Sequence, residues 1–334
     1  MGNGGRRPPL VLRPTKVFGS QALFSHRRQD RGATTRFPTW LSEYAANVYT
    51  KTGEDGVVQK ILETVGRRDG WCVEFGAWDG EHLSNTCNLV QNHGYCSVLI
   101  EADPRKYAVL QRKYAGNSKV IMFNQFVGFT DDNLDTILSR ITIPLDFDFL
   151  SIDIDGNDYH VWKAVSKYQP KVVCIEFNFT IPTEVRFVQP ADPRVNQGAS
   201  LLSLVELGKA KGYELVCVLS MNALFVRSEY FPLFQIDDNR PEVLRTDLSW
   251  ITYLFSGYDG TTFLAGNRTL PWQGIRMRES RMQHLPRILR GFPDNYCPWQ
   301  RWMIRLYSVL VDPWSAFRRL RERARRKARD KGQD

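Results

Sequence analysis

Between residues 54 and 228, short apolar runs alternate with amphipathic ones. "WCVEF" is followed by "LSNTCNLVQNH", "YCSVLIEA" by "PRKYAVLQRKYA", "SKVIMFN" by "DDNLDTILSRI", and "FDFLSIDID" by "NDYHVWKAVSKY". "PKVVCIEFN" then precedes a long loop and "SLLSLVELGKAKG", and the series closes on "YELVCVLS" and "NALFVRSEYF". Ahead of it, "EDGVVQKILETV" places Val57, Val58, Ile61, Leu62 and Val65 at helical spacing. Thr52 stands where a cap belongs, and Glu54 and Asp55 fall in the first turn, where negative charge suits the exposed amides.

Strands that are apolar throughout, separated by helices, require a mostly parallel sheet covered on both faces. The last two strands are joined too tightly for a crossover helix, so the final one must run antiparallel. The expectation is a doubly wound α/β fold with a seven-stranded sheet, six strands parallel and the last reversed at an edge. This domain spans residues 41–230. Residues 1–40 mix Arg, Pro, Gly and Ser without apolar period and read as a disordered leader. Residues 231–298 form an accessory segment of weaker pattern, and 299–334 a basic amphipathic tail.

Charge changes the picture once it is divided along the chain. The net charge is +9 over 334 residues. Residues 1–40 hold eight Arg or Lys and one acid, and 299–334 hold eleven against four, so the ends carry +14 and the centre −5. A slightly acidic centre argues against a phosphate-backbone groove there. The basic ends point to an anionic membrane surface or RNA as partners, or to a tail docked on its own domain through Trp299, Trp302, Met303, Leu306 and Leu310. No apolar run approaches the eighteen or so residues of a span, and the first residues lack an apolar stretch, so neither a signal peptide nor a membrane span is expected. The six cysteines show no CxxC pair. They read as reduced thiols of a cytoplasmic protein, peripheral at a membrane if the tails engage one.

In an open parallel sheet, ligands sit beyond the carboxyl ends of the strands. There the chain places Glu74, Gly76, Asp79 and Gly80, then Glu101 and Asp103, Asn124 and Gln125, Asp153 and Asp155, and finally Glu176 and Asn178. Glycines let a ligand approach the backbone, and the flanking acids choose which ligand. Glu74 and Asp79 would repel a pyrophosphate but suit the ammonium and sulfonium charges of S-adenosylmethionine. The glycine spacing also fails G-x-G-x-x-G. Glu101 is placed to accept two hydrogen bonds from a ribose diol.

"VEFGAWDGEHLSNT", "LIEADPRKYAVL", "FDFLSIDIDGNDYHVWKAV" and "VVCIEFN", in that order, resemble the FkbM-type methyltransferases, a branch of the class I S-adenosylmethionine-dependent, Rossmann-like fold. The likeness covers roughly residues 43–228, and "TGEDG" resembles the acidic element before the first motif. By resemblance, Glu74, Gly76 and Gly80, with Ala77, Trp78 and Asp79 of the same turn, hold the methionine part. Glu101 and Ala102 hold the ribose, Gln125 and Phe126 the adenine edge, and Asp153 closes the cofactor site. Where the commoner pattern has K-I-D-V-E-G-A-E, this chain reads S-I-D-I-D-G-N-D, so Ser151 replaces the lysine.

The implied activity is methyl transfer, expected on a hydroxyl of a small molecule or glycan. An oxygen nucleophile gains from a base or a metal that takes its proton. Asp153 or Asp155 is the candidate base, and the two share a face if the strand continues to Asp155. Asp158 and Glu176 complete the candidate catalytic set. Asp153 with Glu176 and Asn178 resembles a magnesium site of catechol-type O-methyltransferases, with hard oxygen donors that fit the metal. Two other readings compete: a nucleotide-sugar glycosyltransferase using D-x-D at 153–155, and a non-catalytic module that binds RNA or membranes through its tails.

Overall fold

The computed structural model describes residues 37–66, 69–314, 317–318 and 321–322. Most of the expected leader and the end of the basic tail therefore lie outside the described residues. The alternating runs become α1 (Glu54–Val65), β1 (Trp71–Phe75), α2 (Cys87–His93), β2 (Cys96–Glu101), α3 (Pro104–Lys113), β3 (Val120–Asn124), α4 (Leu134–Leu138) and β4 (Phe149–Ile152). They continue through α5 (Asp158–Ala164), β5 (Val172–Glu176), α6 (Leu201–Ala210), β6 (Tyr213–Val218) and β7 (Asn222–Arg227). Beyond these come α7 (Pro241–Leu244), the hairpin of β8 (Thr252–Ser256) and β9 (Thr262–Gly266), and α8 (Pro298–Val311).

The seven-stranded sheet has the order β3-β2-β1-β4-β5-β7-β6. Strands β1 to β5 pair in parallel, while β7 runs antiparallel to both of its neighbours. This is the expected doubly wound Rossmann-like arrangement, with one correction. The reversed strand is last in sequence but not at an edge: the tight turn after β6 folds β7 back between β5 and β6. A tight turn dictates antiparallel pairing and leaves open which side the strand takes. The residues of β7 suit an inner position, since Ala223, Leu224, Phe225 and Val226 are all fully buried.

Alternate strand residues enter opposite layers. On one face α1, α2 and α3 press Val57, Ile61, Leu89 and Leu110 toward Cys72, Leu99, Phe149 and Leu224. On the other, α4, α5 and α6 bring Ile137, Val161, Trp162 and Leu204 against Val73, Ile100, Leu150 and Phe225. Each such side chain contributes roughly 1.5–3 kcal/mol through burial. The six cysteines are unpaired thiols, four of them buried, Cys96 half-buried and Cys297 exposed.

The start of α1 differs from expectation. Gly53 is its N-cap, at φ 101°, and the Thr52 hydroxyl donates to Glu54 rather than capping. Glu54 and Asp55 are buried, not exposed first-turn charges. Asp55 Oδ2 accepts from the backbone N–H of Val48, Tyr49 and Thr50 at 2.7–2.9 Å, and Glu54 Oε1 accepts from Asn222 Nδ2 on β7 at 3.0 Å. Both tie the preceding chain and the sheet to the helix.

The segment after residue 230 packs back on the sheet. Phe234 is fully buried, and its carbonyl accepts from the Trp40 indole at 3.1 Å. The helix α8 corrects a second expectation. Its Trp299, Trp302, Leu306 and Leu310 are exposed, so the stripe expected to dock on the domain faces outward. A helical period shows which residues share a face, and the docked face here is the less obvious one of Gln300, Ile304 and Tyr307.

Candidate functional site

A cleft of about 480 Å³ opens over the carboxyl ends of β1, β2, β4 and β5, within the size range of small-ligand sites. Five carboxylates line it, from Glu74, Glu101, Asp153, Asp155 and Glu176, with Lys106 as the one lysine or arginine among the described lining residues. Lys106 Nζ lies 4.5 Å from the centroid of the Trp78 ring.

Glu101 closes β2, and its side chain is held at both oxygens. Oε2 accepts from the backbone N–H of Trp78 at 2.8 Å, and Oε1 from that of Asp103 at 2.7 Å. Each carboxylate oxygen offers about two acceptor directions, so one on each remains for a diol. Asp103, by contrast, caps α3 through the N–H of Arg105 and Lys106.

Glu74 also lines the cleft, with three hydrogen bonds to its own loop. Oε1 accepts from Asn85 N at 2.8 Å, and Oε2 from the hydroxyls of Ser84 and Thr86 at 2.6 Å each. Burial raises its pKa against the opposing pull of those three donors. Glu74 therefore shapes the loop from Ser84 to Thr86. Ser151, standing where the commoner family pattern has lysine, is buried and accepts from Asn85 Nδ2 at 3.0 Å, tying β4 to the same loop.

Gly76 is at φ +75°, and a Cβ there would lie 2.0 Å from the Asp153 carbonyl oxygen, so the turn after β1 rides directly on the end of β4. Ala77, Trp78 and Ala102 line the cleft as well. Trp78 at φ 47°, Leu83 at 61° and Asp155 at 57° hold left-handed backbone, and all three are cleft residues. Such conformations cost about 1–3 kcal/mol for side chains that dislike them and gather at functional sites.

Asp79 and Gly80 lie outside the lining. Asp79 Oδ1 accepts from the N–H of Glu81 and His82, and its Oδ2 meets Lys113 Nζ of α3 at 2.8 Å. Gly80 must be glycine because a Cβ would strike Tyr114 at 2.5 Å and Leu110 at 2.7 Å. The two acids expected to flank the turn toward a ligand thus divide, one to the loop and one to α3. Gln125 and Phe126 do line the cleft, Gln125 donating its N–H to the Glu101 carbonyl and accepting from Arg140 Nη1 at 2.8 Å.

At the far wall Asp153, Asp155 and Glu176 bring carboxylate oxygens within 4.8 Å of one another. The strand ends at Ile152, so Asp153 and Asp155 do not meet by strand alternation. The left-handed turn at Asp155 gathers them. Burial, with the Asp158 and Asp155 charges, pushes Asp153 up to about 7. Burial and the Asp153 charge hold Glu176 well above the usual carboxylate range. Asp153 and Glu176, so close, do not ionise together, so the pair keeps one proton after it has lost the first.

Asp158 is not part of this group: it accepts from Ile154 N and Gly156 N at 2.9 Å each and fixes the turn, burial pushing it up to about 6. The oxygen donors present fit a hard divalent cation. Asn178, the amide expected to join them, is engaged elsewhere, donating to the Gln197 carbonyl and accepting from Thr180.

A second cavity, about 390 Å³, adjoins the first and shares Asp155, Glu176 and Trp272 with it. Asn178, Asn196, Gln197 and Gln273 add amides, and the cavity has no lysine or arginine among its described lining residues. Its outer wall comes from the accessory segment. Buried Arg245 donates to the carbonyls of Phe179 at 2.5 Å and Ile181 at 2.8 Å, clamping the loop after β5, and Trp250 and Trp272 both pack on Phe179.

Residues 129–215 match the family model described as "Methyltransferase FkbM domain". The matched span contains Asp153, Asp155 and Glu176, while the β1 and β2 side of the cleft precedes it. None of the curated proteins matches the chain. Similar solved structures include a Galdieria sulphuraria protein assigned as a sarcosine dimethylglycine methyltransferase. It is 16% identical, with 48% of this chain and 60% of that one covered and a TM-score of 0.33. Another is a SAM-dependent methyltransferase from Aquifex aeolicus, 12% identical, with 57% and 96% covered and a TM-score of 0.33. A third is the N-terminal domain of EvdMO1 with SAH bound, 10% identical, with 53% and 80% covered and a TM-score of 0.35.

Several residues of the cleft escaped the sequence reading as candidate site residues, among them Leu83, Lys106, Phe179, Met221 and Trp272. Trp272 had a faint signal in the turn "LPWQG", outside the alternating region. His82 lines the cleft edge-on to Trp78 at 5.1 Å, whereas His160 is tied to the Gln189 carbonyl at 2.8 Å and lies off it.

Proposed function

We propose that the protein is an S-adenosylmethionine-dependent O-methyltransferase acting on a hydroxyl of a small molecule or glycan. The observation that carries this reading is the Glu101 carboxylate, locked by two backbone N–H groups at the end of β2 with one acceptor direction free on each oxygen. A ribose diol needs that arrangement. The excess of carboxylates around it suits a ligand carrying ammonium and sulfonium charges.

The acceptor belongs in the second cavity, where amides and the Trp272 ring suit an uncharged, hydroxyl-bearing molecule and no lysine or arginine among the described lining residues waits for an anion. Its hydroxyl would approach the Asp153 and Glu176 pair. Asp153 would take the proton as the oxygen displaced the methyl group in line from the sulfonium sulfur, with Glu176 beside it in the same acidic wall. Desolvation by Trp272, which lines both cavities, and by Phe179 packed on it favours transfer over loss of the methyl to water.

The glycosyltransferase reading of D-x-D gains no support from this geometry. A diphosphate held beside Asp153 and Asp155 would face five carboxylates with Lys106 as the sole lysine or arginine of the described lining. The test is incubation of the protein with methyl-labelled S-adenosylmethionine and a panel of hydroxylated acceptors, read by mass spectrometry. Label on an acceptor oxygen supports the proposal. Label on nitrogen or carbon, or consumption of a nucleotide sugar instead, overturns it.

A further inference from the structure

The helix α8 carries an apolar stripe that the described part of the chain leaves uncovered. One side fastens the helix: Gln300 Nε2 donates to the Ile288 carbonyl at 3.1 Å, the Tyr307 hydroxyl donates to that of His284 at 2.6 Å, and Ile304 lines a cavity with Tyr258 and Tyr296. On the opposite side, Trp299, Trp302, Leu306, Val309 and Leu310 fall within an arc of about 120°. They are 41–71% exposed, and no residue of α8 is buried.

The charges beside this stripe say what covers it. Arg301 and Arg305 lie on the same helix, away from the stripe, and residues 315–334 hold nine Arg or Lys against three acids. Tryptophans and leucines on one side, with arginines beside and after them, match a bilayer surface, where apolar side chains enter the acyl boundary and arginines meet headgroup phosphates. RNA would satisfy the arginines but offers no apolar medium to Leu306, Val309 and Leu310. At 14 residues α8 is about 21 Å long, short of the ~30 Å hydrocarbon core, and no described helix is long and apolar enough to cross a membrane.

We propose that α8 lies in the plane of an anionic lipid surface, its Trp302 and Leu306 side sunk into the headgroup boundary and the arginine-rich segment after it held by lipid phosphates. The proposal is independent of the methyl-transfer reading.

The full chain should co-sediment with phosphatidylcholine vesicles that contain phosphatidylserine, and much less with phosphatidylcholine alone. Raised salt should weaken binding several-fold. The double substitution Trp302→Glu with Leu306→Glu should lower partitioning about tenfold or more while leaving the melting temperature unchanged, because both side chains are exposed. Absence of binding to phosphatidylserine vesicles overturns the proposal, as does equal binding by the double variant. So does self-association that the double variant abolishes without any vesicle binding, or retention of poly(U) RNA in place of vesicles.

Discussion

Asp153 and Glu176, at the ends of two neighbouring parallel strands, bring carboxylate oxygens within 4.8 Å of each other in the first cleft, and Glu176 also lines the second cavity. Two acids in that position lose a first proton and keep the second, and loss of the first sets opposite pH trends for catalysis and stability.

Methyl transfer should rise with pH, close to tenfold per unit, and level off above about 7 as Asp153 ionises. The folded pKa of Asp153 is raised above its unfolded value. The native state therefore binds more protons than the unfolded one between the ordinary carboxylate range and about 7, and stability should fall as pH rises through that window. Asp153→Asn should reduce kcat by about 10²–10⁴ and flatten the stability profile. Denaturant melts across pH, beside rate profiles of both proteins, check this; parallel trends of rate and stability would count against the shared proton.

Gly76→Ala should cost about 3 kcal/mol or more, because the added Cβ meets the Asp153 carbonyl oxygen at 2.0 Å in backbone at φ +75°. Gly116→Ala, at φ +86° with nothing within 4 Å, isolates the backbone effect and should cost about 1 kcal/mol. Urea titration compares them, and equal losses would mean that the close approach of β1 to β4 is unimportant.

Arg245→Met should loosen the loop from Phe179 to Thr183, which directly follows Phe177 and Asn178 of the second cavity's wall. The Michaelis constant for the acceptor should rise about tenfold. S-adenosylmethionine affinity should stay put, since Glu101 and Gly76 lie on the other half of the sheet. Steady-state kinetics with each substrate varied in turn separates the two effects.

Chelation should leave the rate unchanged. The acids at the wall are accounted for by a shared proton, and Asn178, which would complete a magnesium site, is bonded to Gln197 and Thr180. Activity measured before and after EDTA dialysis decides it; loss on dialysis with recovery on magnesium would reassign Asp153, Asp155 and Glu176 as ligands.

The elements and the location of the cleft were legible because unbroken apolar runs such as "VVCIE" demand cover on both faces, and strand ends then fall at one rim. Glu101 followed from that rule alone. What escaped depended on contacts between distant residues. That Gly80 serves α3 needs Tyr114, 34 positions on, and that Asp79 turns away needs Lys113. Asp158 reads equally well as a cap or a catalytic group until the N–H groups of Ile154 and Gly156 are seen on it. Trp272 reaches the cleft from a segment with no periodic pattern, so only packing on Phe179 reveals it. The stripe of α8 was visible, but its outward direction was not.

Calorimetric titration of the folded protein with S-adenosylmethionine, beside Glu101→Gln, tests the central assignment most directly. Saturable one-site binding by the native chain is predicted. It should weaken about tenfold or more in the variant, as expected for hydrogen bonds to a charged carboxylate, with little change in melting temperature because the amide oxygen still accepts one of the two backbone N–H groups. No binding by intact folded protein, or equal affinity in both, would contradict it.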